Sequence, residues 1–271
     1  MPMSNSLNLD AYFERINWGG GTNPTFATLA GLLRAHLLLI PFENFDILLG
    51  RDVRLDLDGL QAKLVHAHRG GYCFEHATLF AAVLEKLGFQ TVRHTARVVL
   101  FAPITAAPRT HMFLTVQLAD GTFVIDPGFG PYASRVPIPL IDGAAAHGEY
   151  ETHWMIRDGN RWMLRAQLGG KLMDAWVTTL EQDNPVDFEI GNHYTATHPG
   201  SLFVNRLIIA SLTKEGRVTA MNRDVNFWHG NTPRPTQLAD RLALRELIVT
   251  YFGFDLPEIE RLKVPTIPEW H

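Results

Sequence analysis

Residues 69–88 read RGGYCFEHATLFAAVLEKLG, and this stretch decides the fold. Phe74, Ala77, Ala81 and Leu84 recur at intervals of three and four, and Phe80, Val83 and Leu87 form a second apolar stripe beside them. One stripe makes an amphipathic helix; two predict a helix buried on most sides. Gly88 is placed to end it, since glycine enters the left-handed conformation of a helix terminus without a Cβ penalty. The only cysteine of the chain, Cys73, therefore stands where a buried helix begins. A thiol there sees the positive end of the helix dipole, which favours the reactive thiolate. Gly70 and Gly71 leave room for close approach of a substrate.

Working outward, residues 1 to about 87 read mainly as helices. Asp10 is placed to cap a first helix with Tyr12, Phe13 and Ile16 on its apolar side. Gly19-Gly20-Gly21-Thr22-Asn23-Pro24 breaks it, and a second helix covers Phe26 to Leu39, stopping ahead of Pro41. Residues 88 to about 190 read as strands: Thr95–Phe101, Met112–Leu118, Thr122–Ile125, and short segments around Trp154 and Trp162. Asp120-Gly121 is a hairpin signal. From 191 to 271 the pattern is mixed, with a strand over Leu202–Leu212 and a helix over Thr236–Phe252. That helix turns Leu238, Leu242, Leu247, Ile248 and Tyr251 inward. Helices, then strands, then mixed elements predict an α+β protein in three parts, 1–87, 88–190 and 191–271.

The 271 residues are 46% apolar and 19% charged, a globular composition with room for a sizeable core. A formal net charge of −4 and the lack of any basic run argue against a nucleic-acid partner. The longest apolar run, Leu37–Phe42, is too short to span a bilayer, and the N-terminus shows no signal peptide. A single cysteine allows no intrachain disulfide, which fits a reducing compartment; the reading is cytoplasmic. His66, His68, Cys73 and His76 share one stretch, but without the repeated pairs of a zinc site they predict no metal. No oligomeric state follows from the sequence.

A reactive thiol needs a proton partner. His111, in Arg109-Thr110-His111 at the entrance of an apolar strand, is the candidate, and Asp126, just after the next strand, is the group to orient it. A two-residue turn at Asp120-Gly121 sets Thr115 opposite Asp126. His111 then shares the face but lies about 13 Å away along the strand, at roughly 3.3 Å per residue. A bulge, another loop or a curled strand end is required if the three groups meet.

Arg69-Gly70-Gly71-Tyr72-Cys73-Phe74-Glu75 resembles the active-site signature of arylamine N-acetyltransferases. Pro41-Phe42-Glu43-Asn44, Arg109-Thr110-His111, Asp126-Pro127-Gly128-Phe129-Gly130, His147-Gly148-Glu149-Tyr150 and His198-Pro199-Gly200-Ser201-Leu202-Phe203 resemble further family segments, in family order. The resemblance implies an N-terminal helical bundle, a central β-barrel and a C-terminal α/β lid around a thiol-protease-like Cys-His-Asp core. It implies Cys73 as nucleophile, His111 as proton partner and Asp126 as orienter. Acetyl-CoA is the implied co-substrate, bound near Gly128, Phe129 and Gly130, with an arylamine or arylhydrazine as acceptor. Ala77 and Pro127 depart from the family pattern, which bears on substrate preference. Arg109 is read either as a contact to CoA phosphate or as a surface ion pair, and Arg69 with Glu75 as a charge pair supporting the cysteine turn. Phe74, Phe203 and Val98 are candidates for the substrate pocket. A triad alone does not set the acceptor, so a thiol hydrolase, a transglutaminase-like enzyme or an amide synthase for a larger acyl chain is the alternative.

Overall fold

The computed structural model describes residues 6–267 and Trp270. Met1–Asn5, which bears on a leader sequence, lies outside them. The chain opens with helices. In α1 (Leu9–Arg15) the cap is Asn8, whose side chain accepts the Ala11 N–H; Asp10 sits inside the first turn instead. α2 (Phe26–Leu39) is capped by Thr25 and ends ahead of Pro41. Two single turns, α3 (Phe45–Leu48) and α4 (Leu57–Leu60), follow, the second running on as a π-helical turn over Gln61–His66. α5 (Cys73–Lys86) is the helix that begins at the cysteine. Its Phe74, Ala77, Phe80, Ala81, Val83 and Leu84 are all fully buried, as the double stripe requires. Each buried Phe or Leu contributes about 1.5–3 kcal/mol of apolar burial. Gly88 follows at φ +85°.

Eight antiparallel strands come next: β1 (Gln90–Val98), β2 (Arg109–Leu118), β3 (Gly121–Ile125), β4 (Ile138–Pro139), β5 (Ala145–His147), β6 (Glu151–Asp158), β7 (Arg161–Leu168) and β8 (Lys171–Thr178). Their order is β4-β3-β2-β1-β8-β7-β6-β5, and β4 comes back against β5 and β6, so the sheet is nearly closed and barrel-like. β1 starts earlier than the expected Thr95 and leaves the sheet at Val98, ahead of Pro103, which has no N–H for a ladder. α5 packs on β1 and β2, and β2 carries His111 while Asp126 follows β3.

α6 (Pro185–Thr197) and the short α7 (Leu202–Asn205) lead into a four-stranded antiparallel sheet of β9 (Ile208–Thr213), β10 (Gly216–Met221), β11 (Asp224–His229) and β12 (Thr232–Gln237), closed by α8 (Arg241–Tyr251). The strand expected over Leu202–Leu212 is thus split. Ser201 accepts the Phe203 N–H and caps a helical turn, so local capping overrides apolar content. The helix expected from Thr236 starts at Arg241, capped by Asp240; Thr232–Gln237 instead forms an edge strand whose two prolines blunt further pairing. Leu242 and Tyr251, expected inward, are 63% and 44% exposed, and Leu244, Leu247 and Ile248 bury. Phe42 ties the halves together: its backbone exchanges hydrogen bonds with Ala210 at 2.8 and 2.9 Å, and it also bridges to Gly71. No described helix is long and apolar enough to cross a membrane.

Candidate active site

Cys73 is the first residue of α5, 3% exposed. The turn before it is packed so closely that only glycine fits. A Cβ on Gly70 would strike the Pro41 carbonyl oxygen. Across from it, a Cβ on Gly128 would lie 2.5 Å from the Cys73 Cα. The Glu75 carboxylate accepts the Tyr72 N–H at 3.1 Å, fixing the helix start. Cys73 Sγ lies 3.7 Å from the Thr110 carbonyl oxygen.

Two irregularities bring His111 and Asp126 together. The β2–β3 hairpin turns at Ala119-Asp120, with Leu118 paired to Gly121, so the turn sits one residue earlier than expected. Continuing that register sets Asp126 opposite Phe113 rather than Thr115, which cuts the separation from His111 to roughly 7 Å. On the other side of β2, Ala96 pairs with His111 but Arg97 with Arg109, leaving Thr110 as a bulge. The expected irregularity is therefore a different turn plus a bulge. His111 Nε2 and Asp126 Oδ2 are 2.8 Å apart. With Nε2 donating to the carboxylate, Nδ1 is the ring nitrogen left over, and His111 and Cys73 line the same cavity.

All three side chains are at least 97% buried. For His111, burial is the largest single influence and pushes its pKa down. The charge and hydrogen bond of Asp126, joined by the hydrogen bond and charge of Cys73, outweigh it and lift the imidazole to about 10. Trp176, which no sequence pattern marked, donates its indole N–H to the same Asp126 Oδ2 at 2.9 Å. Asp126 Oδ1 has no hydrogen-bond partner among the described residues.

The sulfur opens on a cavity of about 610 Å³ whose walls include Cys73, Val98, His111, Gly128, Phe129 and Phe203. Phe42, Tyr132, Arg217 and Trp228 also line it. Not every candidate reaches it. Phe74 is fully buried, its ring 5.7 Å from that of Tyr72. Gly130 takes φ +58° against the Phe42 ring, away from the cavity wall. Arg109 turns aside to Asp183 at 2.9 Å and Thr95 Oγ1 at 2.8 Å, matching the ion-pair reading rather than the phosphate one.

Below the cysteine turn lies a buried charge cluster. Arg69 meets Glu43 and Asp46, each at 2.7 Å, and Lys63 meets Asp46 and Glu75, each at 2.7 Å. The expected Arg69–Glu75 pair is not formed; Lys63, from the π-helical turn, takes its place. Burial, with Lys63 opposing it, raises Glu75 to about 7. Beside the cluster runs a hydrogen-bond chain from Tyr12 through His36 to His76, each step 2.8 Å, ending 3.1 Å from the Pro41 and Gly71 carbonyl oxygens. Carbonyls only accept, so His76 Nε2 donates, His36 Nε2 donates to His76 Nδ1, and the Tyr12 hydroxyl donates to His36. Burial holds both imidazoles below their ordinary pKa, His76 at about 4, so the chain is neutral at pH 7. His76 is thereby turned from Cys73, while His66 and His68 are exposed.

Cys73 thus shares the wall of an apolar cavity with an imidazole that a buried carboxylate holds from behind. Residues 25–261 match the family model described as N-acetyltransferase. The arylamine N-acetyltransferase of Mycolicibacterium smegmatis is 35% identical over 259 residues, 94% of each chain. That of Escherichia coli K12 is 33% identical, over 92% of this chain and 90% of the relative. The solved M. smegmatis enzyme superposes with a TM-score of 0.90 at 34% identity, over 98% of this chain and 99% of that one. The Mycobacterium marinum enzyme, solved in complex with CoA, gives 0.88 at 31% identity, over 93% and 94%. The chain belongs to the arylamine N-acetyltransferase family.

Proposed function

We propose that the protein acetylates arylamines, and arylhydrazines with them, using acetyl-CoA and an acetyl-Cys73 intermediate. The observation that carries this reading is the His111–Asp126 pair, 2.8 Å apart, with His111 and the lone Cys73 on the wall of one cavity. An imidazolium beside the sulfur favours the thiolate. The thiolate attacks the thioester carbonyl, forming one C–S bond. The backbone N–H of Cys73, at the helix start, is placed to stabilise the oxyanion. Collapse breaks the other C–S bond, and CoA departs as its thiol, taking the proton of the His111 imidazolium and leaving the ring neutral. The amine then attacks acetyl-Cys73, and its proton passes to His111 as the sulfur leaves. Thioester exchange is nearly balanced in energy, and an aromatic amine is largely neutral at pH 7, so positioning supplies most of what each half-reaction needs.

In this reading the helices up to about residue 87 bring the nucleophile, the barrel brings its partners, and residues 191–271 form a lid. CoA lies in the cleft beside Gly128 and Phe129, and no metal takes part. The single free thiol suits the cytoplasm. The test is intact-mass measurement after mixing with acetyl-CoA alone. The protein should gain one acetyl group and its Cys73→Ser variant none; a wild-type chain that stays unmodified refutes the scheme.

A further inference from the structure

Arg217 stands on β10 opposite Trp228 on β11, and both side chains line the Cys73 cavity. Arg217 is 6% exposed. Its guanidinium carbon lies 4.1 Å from the centre of the Trp228 ring. Among the described residues it has no hydrogen-bond or ion-pair partner of its own. Burying a guanidinium without such a partner is costly, and native chains rarely do so.

Its neighbour shows what satisfaction looks like here. Arg135, 3% exposed, donates to the Thr213 carbonyl at 3.1 Å and to the Gly216 carbonyl, and meets Glu149 at 3.5 Å and Glu151 at 3.9 Å. Glu151, the nearest acid to influence Arg217, is thus already engaged. The charge of Arg135 adds repulsion. One of two adjacent buried cations is fully met by the chain, and the other lies over an indole at the cavity wall. Stacking fixes the plane of the fork without consuming its donors.

We propose that Arg217 is an anion receptor of the Cys73 cavity, taking two oxygens of a phosphate or carboxylate group on a molecule bound there. The inference rests on the acetyl-transfer reading of that cavity. The anion comes from one of two sources, the phosphates of the thioester donor or a carboxylate on the amine acceptor. Bidentate pairing to a planar fork serves either chemistry.

Matched pairs of probes separate them. On the donor side, acetyl-CoA is compared with the phosphate-free thioester of N-acetylcysteamine. On the acceptor side, 4-aminobenzoate is compared with its ethyl ester. In Arg217→Gln, kcat/KM should fall at least tenfold more for the anionic member of one pair than for its neutral partner, and that pair names the source. Arg217→Lys, which keeps the charge and loses the fork, should recover part of the loss. Equal changes within both pairs overturn the proposal. Calorimetric titration of CoA and of 4-aminobenzoate needs no turnover. A tenfold weaker Kd for either in a variant that melts as wild type supports the receptor even if acetyl transfer is never seen, whereas unchanged Kd values for both overturn it. In the absence of acetyl transfer it is the functional reading that fails.

Discussion

Asp126→Asn removes one charge and little else. The His111 imidazole and the Trp176 indole both donate to Oδ2, and Oδ1 has no partner among the described residues. An asparagine with its carbonyl oxygen at the Oδ2 position keeps both hydrogen bonds and places its amide where no acceptor stands. Leaving that amide unsatisfied costs about 1–3 kcal/mol of stability. The larger consequence falls on His111. Its rise from 6.5 to about 10 corresponds to about 5 kcal/mol at 1.36 kcal/mol per tenfold. The retained hydrogen bond and the Cys73 contribution keep part of this. Assigning about 2 kcal/mol to the lost charge gives about a 30-fold smaller hold on the imidazolium. The ring then gives up its proton over a lower pH range than in the wild type, and proton transfer from Cys73 to it becomes less favourable by the same factor. Because Cys73 is the only cysteine, iodoacetamide alkylation followed by intact mass reads this site alone. The rate at pH 7 should drop by up to about 30-fold, the full factor being reached only where the thiolate is the minor form in the wild type. A second readout follows from linkage. Folded His111 keeps its proton to about 10 and the unfolded imidazole releases it near 6.5. Its stabilisation is therefore complete below about pH 6.5 and is lost as pH rises toward 10. The wild-type melting temperature should fall across that window, and fall less in Asp126→Asn. Alkylation at the wild-type rate from pH 5 to 9, with an unchanged melting profile, would refute the charge-pair argument.

Gly128→Ala puts a Cβ 2.5 Å from the Cys73 Cα and 2.9 Å from its carbonyl oxygen, both backbone atoms that cannot swing aside. Acetylation of Cys73 by acetyl-CoA should slow more than tenfold, with stability lowered by about 1–3 kcal/mol; a variant normal in both would show the contact to be slack. Lys63→Met removes the cation that sits 2.7 Å from both Asp46 and Glu75, leaving Glu75 without its ion-pair partner and Glu43 and Asp46 to Arg69, with Arg51 3.6 Å from Asp46. Urea unfolding should show a loss of about 3–5 kcal/mol, and a loss within error would mean that the cluster is held by packing.

The sequence reading succeeds where signals are local. α2 and α5 stand where apolar spacing and caps put them, and Gly88 ends α5. It misses by one residue at the hairpin because an Asp-Gly pair marks a turn without fixing which residues take its corners. Here Gly121 carries φ +130° as the first residue of β3, and that step moves Asp126 two positions nearer His111. The Thr110 bulge has no composition of its own. Trp176 reaches Asp126 from 50 positions away, and Lys63 displaces Arg69 at Glu75 because a π-helical turn re-aims it. Such partners are set by the closing of the sheet and the docking of helices, and no window of sequence contains both ends.

Four arginines show how structure separates roles that the sequence leaves alike. Arg69, Arg109, Arg135 and Arg217 all precede or follow small residues and none carries a motif that predicts its partner. Arg69 is met by two carboxylates, Arg109 by Asp183 and a threonine hydroxyl, and Arg135 by carbonyls and acids. Each of these three has its donors engaged within the chain, so its removal should register first as lost stability. Arg217 alone among them faces the cavity with its donors free, so its removal should register first in what the cavity binds. The discriminating property is whether folding satisfies the charge, since a desolvated cation that the fold leaves unpaired retains its attraction for whatever anion can reach it.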